Sequence, residues 1–214
     1  MTSLQPQEGW IDAGVASEFP DLRLWQLTLP LPGPIGKSSE GVRERLREMS
    51  DGFRGAQAVT MRSQPIHHAH RVFFRHIGLD PDTSRTPAEA IAVERLRAGA
   101  FKPVNQLDDA LVIAIMETGV PVWALDEEGV DGDLGIRPAR DAESLGDAPI
   151  ADGRLVVGDS EQPVAVLFGD VGPVPVKSTR ALRLFSVQVA GVPSIHVEEA
   201  LWTVVELFEG DDED

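Results

Sequence analysis

The clearest hydrophobic pattern in the chain lies between Pro103 and Arg137. After Asn105, apolar residues recur at helical spacing and also fill positions between, which predicts a helix buried on more than one side. Asn105 is placed to cap this helix, with Asp108 as a capping-box partner three residues later. Gly119 is placed to end it in a left-handed conformation. We therefore expect a central helix here, with the rest of the chain packed around it.

Strand patterns flank this helix on both sides. Alternating residues predict two long strands, one near each end of the chain, and two shorter runs predict a hairpin. The central helix is predicted to lead into another hairpin through a Gly-rich connection. The predicted strands cover residues 22–29, 122–125, 134–137, 154–157, 164–168 and 182–189.

Four further helices are predicted from caps, glycine stops and apolar stripes. The helix that starts at Ser38 or Ser39 and runs to about Met49 has a narrow stripe and is expected on the surface. The helix of residues 64–78 is expected to bury Ile66, Ala69, Phe73 and Ile77. The helix of residues 86–99 is expected to bury Ala90, Ile91, Val93, Leu96 and Arg97. The helix of residues 194–210 is expected to bury Val197, Leu201, Val204, Val205 and Phe208.

The order of these elements, helices first and mostly strands afterwards, is typical of the α+β class with an antiparallel or mixed sheet. Residues 1–20, 140–149 and 169–176 show no regular pattern and are expected to be irregular. A chain of 214 residues suffices for one good core. We therefore expect a single domain over residues 1–210, followed by an acidic tail at residues 211–214.

Composition narrows the classes of protein. The chain has no cysteine, which excludes disulfides and thiolate metal sites. Its start has no signal-peptide pattern, and no apolar run approaches membrane-spanning length. We therefore expect a cytoplasmic protein without a membrane partner.

The formal net charge of -16 argues against an ordinary nucleic-acid binder, because phosphate contacts require a basic surface. A local basic patch stays open as an alternative, although a solvated helix face explains the same arginines more simply. The arginines in question are Arg43, Arg45, Arg47, Arg54, Arg62, Arg71 and Arg75.

Five short segments resemble a known family by their order and spacing. They are residues 78–81 (GLDP), 84–90 (SRTPAEA), 104–109 (VNQLDD), 119–122 (GVPV) and 131–134 (DGDL). This order resembles the B3/B4 domain family over residues 60–190. The family includes the editing module in the β subunit of bacterial phenylalanyl-tRNA synthetase and also free-standing proteins, to which the chain is most similar.

The resemblance implies an α+β, B3/B4-like fold and an editing activity. In the synthetase this module hydrolyses tyrosine wrongly attached to the phenylalanine tRNA. Its site would lie between the central helix and a turn at Phe168, Gly169 and Asp170. The synthetase has an asparagine where this chain has Val112 and a histidine where it has Trp123, so the fold transfers more safely than the tyrosine-specific chemistry.

Ester hydrolysis needs a positioned water and donors for the developing oxyanion. Asp109 and Asn105 are candidates to orient a water or the amino group, and Gly169 would let the backbone approach the substrate. Simpler structural roles are open for two of them, Asn105 as a cap and Asp109 as a complement to the helix dipole. This chemistry requires no cofactor.

The candidates for substrate binding are Arg85, Glu89, Trp123 and Val112. Arg85 and Glu89 sit at a helix start, where they can bind a carboxylate and an amine or simply pair with each other. Trp123 can equally be a core residue.

A histidine cluster is the one pattern that suggests a metal, since His67 and His70 share a helix face. His68 and His76 lie nearby, but no clear further ligand does, so we expect no metal and favour a surface or interface cluster.

Three hypotheses from different classes follow. The first is an aminoacyl-tRNA deacylase, whose partner is aminoacyl-tRNA. The second is a non-catalytic module that binds a small amino-acid-like ligand in the B3/B4 pocket, which the residues at Val112 and Trp123 and the net charge favour. The third is an interaction protein that uses its acidic tail on a basic partner. The sequence leaves open whether the chain is an enzyme.

Overall fold

A computed structural model of the chain describes residues 4–210, so the expected tail at 211–214 lies outside the described residues. Within them the chain folds as α+β, as predicted. Its helices are α1 (Ala13–Glu18), α2 (Glu40–Gly52), α3 (Gly55–Thr60), α4 (Pro65–His76), α5 (Pro87–Ala98), α6 (Gln106–Thr118) and α7 (Ser194–Glu209). Its strands are β1 (Gln7–Glu8), β2 (Trp10–Ile11), β3 (Arg23–Pro30), β4 (Val122–Asp126), β5 (Gly135–Pro138), β6 (Ser144–Leu145), β7 (Ala148–Pro149), β8 (Leu155–Gly158), β9 (Pro163–Val166) and β10 (Ala181–Gln188).

Two compact units divide the chain. Among the described residues, the first combines 4–34 with 123–190, and the second combines 35–122 with 191–210. The single domain expected over residues 1–210 stays a prediction. None of the helices in the described part is long and apolar enough to cross a membrane.

Within residues 4–210, eight of the ten strands form two four-stranded sheets, ordered β1-β3-β10-β4 and β2-β5-β8-β9, and β6 pairs with β7. The long strands β3 and β10 pair antiparallel, with Leu24 opposite Val187 and Leu27 opposite Leu184. All four of these side chains are buried. Because β2 pairs parallel with β5 while β5 pairs antiparallel with β8, the second sheet is mixed, as the sequence predicted.

The predicted hairpin after the central helix is wrong. Strands β4 and β5 exist at nearly the predicted positions, but β4 lies beside β10 in the first sheet and β5 lies in the second. The connection between them contains a 3-10 turn at Glu127–Gly129 and is longer than the two to five residues of a tight hairpin. The other predicted hairpin, formed by β8 and β9, is confirmed.

Several short elements escaped prediction. Residues 1–20 carry β1, β2 and α1, and residues 140–149 carry the small hairpin of β6 and β7, where irregular structure was expected. Helix α3 was also missed. Strands of two residues and helices of six are too short to show a hydrophobic period, so pattern alone does not reveal them.

The second unit is organised around α6, which contacts α2, α5 and α7. Ala110, Ile113 and Ala114 are completely buried, as expected for a helix covered on more than one side. All five residues predicted to form the buried face of α7 are buried, so that face is confirmed.

The predicted buried face of α4 is partly wrong, and that of α5 is wholly wrong. Helix α5 buries Ala88, Glu89 and Ala92 instead of the larger apolar side chains. Helix α4 buries Phe73 as predicted, but its other buried residues are His67, His70, Arg71 and Phe74. Arg71 of α4 and Glu89 of α5 form a buried ion pair, and the buried alanines of α5 pack with Met61 and Ile115. Helix α2 buries Val42 and Leu46, although its remaining faces are exposed.

Candidate functional site

The start of α6 is built as its sequence predicted, with one difference. The Asn105 side-chain oxygen accepts a hydrogen bond from the Asp108 backbone N–H at 2.9 Å, which confirms the cap. The Asp108 carboxylate accepts from the Asn105 side-chain amide at 2.7 Å, where a capping box would use the Asn105 backbone N–H. The Asp108 carboxylate therefore holds the Asn105 side chain in the orientation in which it caps the helix.

Asp109 is a buried carboxylate with a full set of partners. Its side chain is 2% exposed, and its oxygens accept from the Val104 backbone N–H at 3.0 and 3.2 Å. One oxygen also accepts from the Ser38 hydroxyl. Burial raises the pKa of Asp109, while the hydrogen bonds from Ser38 and Val104 act in the opposite direction. Asp109 thus ties the segments before α2 and before α6 to the helix.

A cleft of about 340 Å³ opens beside Asp109 in the second unit. Its walls are α5, the first half of α6, Leu46 of α2, and residues 100–104. Val112, predicted as a substrate contact, lies in its wall. Charged groups of both signs also line the cleft, namely Glu94, Arg95, Lys102, Asp108 and Asp109. The cleft therefore combines an apolar wall with positive and negative groups.

In the first unit, Trp123 belongs to an aromatic cluster. Its ring stacks on Phe185 at a centroid distance of 5.2 Å and meets the edge of Phe168 at 5.5 Å. Because Phe168 immediately precedes Gly169, this cluster brings Trp123 close to the turn that the resemblance singled out. Trp123 is half-buried, so it serves both as a packing residue and as part of an accessible surface.

The turn at Gly169 is tight and strained. Phe168 has a φ of 59°, a left-handed conformation that bulky residues rarely adopt. The Gly169 N–H donates to the Val166 carbonyl at 2.8 Å, and Val166 N–H donates to the Asp170 carbonyl at 2.9 Å. Gly169 itself is exposed. Since its N–H is used within the turn, a donor for an oxyanion would have to be a different group.

Glu89 and Arg85 do not share a role in the structure. Glu89 is 2% exposed, and its carboxylate accepts from Arg71 at 2.8 and 3.0 Å. Arg62 lies 3.4 Å from the same carboxylate, whereas Arg85 is exposed. Glu89 therefore belongs to a buried ion-pair network that also includes Asp82, and its contact with a ligand stays a prediction.

The histidines are only partly a surface cluster. His68 and His76 are exposed as expected, but His67 and His70 are buried, so that prediction is wrong for these two. Burial lowers the pKa of His67, and the nearby Glu89 opposes this shift. Over residues 4–210 there is no group of three or more histidine, aspartate or glutamate side chains that could hold a metal ion.

Most of the arginines that suggested a basic patch have partners within the protein. Arg45 pairs with Glu117 at 2.5 Å and Arg47 pairs with Glu44 at 3.0 Å. Arg71 is buried in the network with Glu89. Carboxylates within the protein therefore neutralise these arginines, which argues against a basic patch.

Sequence reasoning missed Arg95 and Lys102 as residues of the cleft. They lie at the end of α5 and in the segment after it, where no motif marks them. The only available signal was the group of basic residues that follows Glu94, namely Arg95, Arg97 and Lys102, and it is equally typical of an exposed helix end.

Comparison with known proteins relates the chain to one segment of a tRNA ligase. It is 33% identical over 129 residues to the phenylalanine–tRNA ligase β subunit of Xylella fastidiosa, a match covering 54% of this chain and 15% of the relative. It is 32% identical over 111 residues to the same subunit of Xanthomonas campestris pv. campestris, covering 50% and 14%. No family model matches the chain. The chain is therefore distantly related to a part of this subunit and matches about one-seventh of its length.

Proposed function

We propose that the chain hydrolyses the ester bond of mischarged aminoacyl-tRNA, as the editing module of the B3/B4 family does. The observation that carries this proposal is its similarity to the phenylalanine–tRNA ligase β subunit. The order of the five segments that resemble the B3/B4 family supports the same assignment. The activity would belong to the cytoplasm, where charged tRNA is used.

In this reaction, the oxygen of a water molecule bonds to the ester carbonyl carbon, and the bond from that carbon to the ribose oxygen breaks. The proton lost by the water ends on the ribose oxygen, so the products are free amino acid and uncharged tRNA. We propose that the ester carbonyl of the aminoacyl-tRNA lies against the exposed turn at Gly169, beside Trp123, during this reaction. Backbone strain of the kind found at Phe168 is common at functional sites, which supports this choice.

In this proposal Asp109 is not the residue that orients the water, although the sequence made it a candidate for that role. Both of its oxygens are occupied by Val104 and Ser38, so it acts as a positioning residue for the walls of the cleft. Asn105 likewise acts as a cap. Water activation would then depend on backbone groups and on hydroxyl groups of the substrate.

The second candidate function is a module that binds a free amino acid without hydrolysis. The pairing of Arg45, Arg47 and Arg71 with carboxylates favours it, because these arginines are less available for tRNA phosphates. The mixed charges of the cleft also favour a small zwitterion over a polyanion.

The experiment that tests the proposed site compares two glycine-to-alanine variants in hydrolysis of aminoacyl-tRNA. In Gly169→Ala the new methyl group lies 3.1 Å from the Val166 Cβ and 3.2 Å from its Cγ1, so the turn must shift to make room for it. We expect the rate to fall by about tenfold or more, since small displacements of reacting groups are costly. Gly33→Ala is the matched control, because a Cβ there has no neighbour within 4 Å and neither glycine has a positive φ. Equal rates in both variants would show that the turn is not the site.

A further inference from the structure

The cleft of the second unit has the size and lining of a site for a small ligand. At about 340 Å³ it lies at the lower end of the range of roughly 300–1,000 Å³ that is usual for ligand pockets. The apolar part of its wall includes Leu46, Ile91, Ala98 and Val112. This volume suits a molecule of amino-acid size better than a nucleotide.

The positive side of the cleft is held in place by its own contacts. Arg95 donates from Nη2 to the Ser50 carbonyl at 2.5 Å, and its guanidinium carbon lies 5.9 Å from the centre of the Phe53 ring. The Ser50 hydroxyl accepts from the Phe101 N–H at 3.1 Å, which fixes the segment that carries Lys102. Because Arg95 is already held in one conformation, less conformational entropy is lost when it binds a ligand.

The opposite end of this segment is also anchored, by Asp109. Its carboxylate accepts from the Val104 N–H, so the segment between Phe101 and Val104 is attached to α2 at one end and to α6 at the other. Residues 101–104 therefore form a fixed wall and present Lys102 at the rim, where its side chain is exposed. The buried carboxylate of Asp109 explains how the cleft keeps its shape.

The charges around the cleft divide into two kinds. Arg95 and Lys102 can attract a carboxylate, whereas Glu94 and Asp108 can attract an ammonium group. An α-amino acid carries both groups on one carbon, with a side chain that would lie along the apolar wall. Neither a simple anion nor a simple amine would satisfy both kinds of charge.

We propose that this cleft binds a free α-amino acid with an apolar side chain. The inference rests on the second candidate function and names its site and its ligand class. The aliphatic side chains of the wall offer no hydrogen bond to a phenol hydroxyl, so phenylalanine should bind better than tyrosine. The tyrosine preference implied by the family resemblance is thus not expected in this cleft.

The test is isothermal titration calorimetry of the full chain with L-leucine, L-phenylalanine and L-tyrosine, using leucinamide and 4-methylpentanoate as probes that each lack one charge. Leucine or phenylalanine should bind, and each single-charge probe should bind about tenfold more weakly than leucine. Phenylalanine should also bind more tightly than tyrosine. Absence of binding by leucine and phenylalanine to the folded chain would overturn the proposal, and so would equal affinity for leucine and both single-charge probes.

Charge-reversal variants locate the site. Lys102→Glu should weaken binding about tenfold or more by reversing the charge at the rim. Lys177→Glu is the matched control, because Lys177 is also exposed but belongs to the first unit. Equal affinities in the two variants would overturn the assignment to this cleft. Hydrolysis of aminoacyl-tRNA is measured separately: hydrolysis without amino-acid binding overturns this inference alone, and binding without hydrolysis contradicts only the proposed deacylase.

Discussion

Asp109 shows how a residue chosen for chemistry can have a structural role. A buried carboxylate is costly unless hydrogen bonds compensate for its loss of water, and here Val104 and Ser38 provide them. The compensation is incomplete, because burial still raises the pKa of Asp109. The folded chain therefore holds the proton of this group more tightly than the unfolded chain does.

The Asp109→Asn variant tests this role through the pH dependence of stability. Because the pKa of Asp109 is raised in the folded chain, its contribution to the unfolding free energy is fully present below its unfolded pKa, near 3.8. That contribution is lost as the pH rises through the folded pKa. Asparagine does not titrate, so the unfolding free energy of the wild type minus that of the variant should decrease with rising pH over this window. Urea unfolding at several pH values measures it. A difference that stays constant, or rises, with pH would contradict the account.

The ion pair of Glu89 and Arg71 is a second case in which local chemistry determines packing. Glu89→Gln leaves the buried Arg71 with only the exposed Asp82 as a charged partner, so the unfolding free energy should fall by about 3 kcal/mol. Glu44→Gln is the control, because its pair with Arg47 is largely exposed and should contribute less than about 1 kcal/mol. Urea unfolding compares the two, and equal losses would show that Glu89 is no more important than a surface residue.

At the scale of elements, prediction succeeded where the hydrophobic period was long and unmixed. The pattern located α6, α7, β3 and β10 to within one or two residues. It misplaced the buried face of α5 because Glu89 is buried through ion pairing, which apolar spacing does not reveal. The hairpin of β4 and β5 failed because local sequence does not specify which distant strand a new strand will join.

The candidate site was predictable only in part, for the same reason. Asp109 and Val112 stand out on a strongly patterned helix, and both do lie at the cleft. Arg95 and Lys102 lie where charged residues are expected in any case, so only the fold shows that they face the same cleft. The link between Trp123 and the Gly169 turn depends on Phe168, whose left-handed backbone conformation no sequence pattern indicated.

The end of α6 provides a direct test of how that helix is fixed. Gly119 has a φ of 75°, and a Cβ there would lie 3.1 Å from the buried ring of His67. Gly99 ends α5 with a φ of 82° but has open space around it. Alanine at either position costs about 1 kcal/mol for the left-handed conformation.

Gly119→Ala should therefore lower the unfolding free energy more than Gly99→Ala does. The difference between the two losses measures the cost of the contact with His67. Thermal or urea unfolding of the two variants measures the difference. Equal losses would mean that the His67 ring moves aside freely and does not fix the end of α6.

At the scale of the whole molecule, the net charge of -16 sets the conditions for any contact with tRNA. Long-range steering would be repulsive, and it weakens as salt shortens the Debye length. Pairing of Arg45 and Arg47 with glutamates reduces the local attraction further. A deacylase built on this chain would depend on recognition of the aminoacyl end more than on phosphate contacts.

The relation to the phenylalanine–tRNA ligase β subunit supports the proposed ester hydrolysis. The most direct measurement is release of amino acid from a panel of correctly and wrongly charged tRNAs by the purified full chain, relative to spontaneous hydrolysis. We expect at least one mischarged tRNA to lose its amino acid well above the spontaneous rate, while its correctly charged counterpart does not. Spontaneous rates for every member of the panel, with a folded protein, would contradict it.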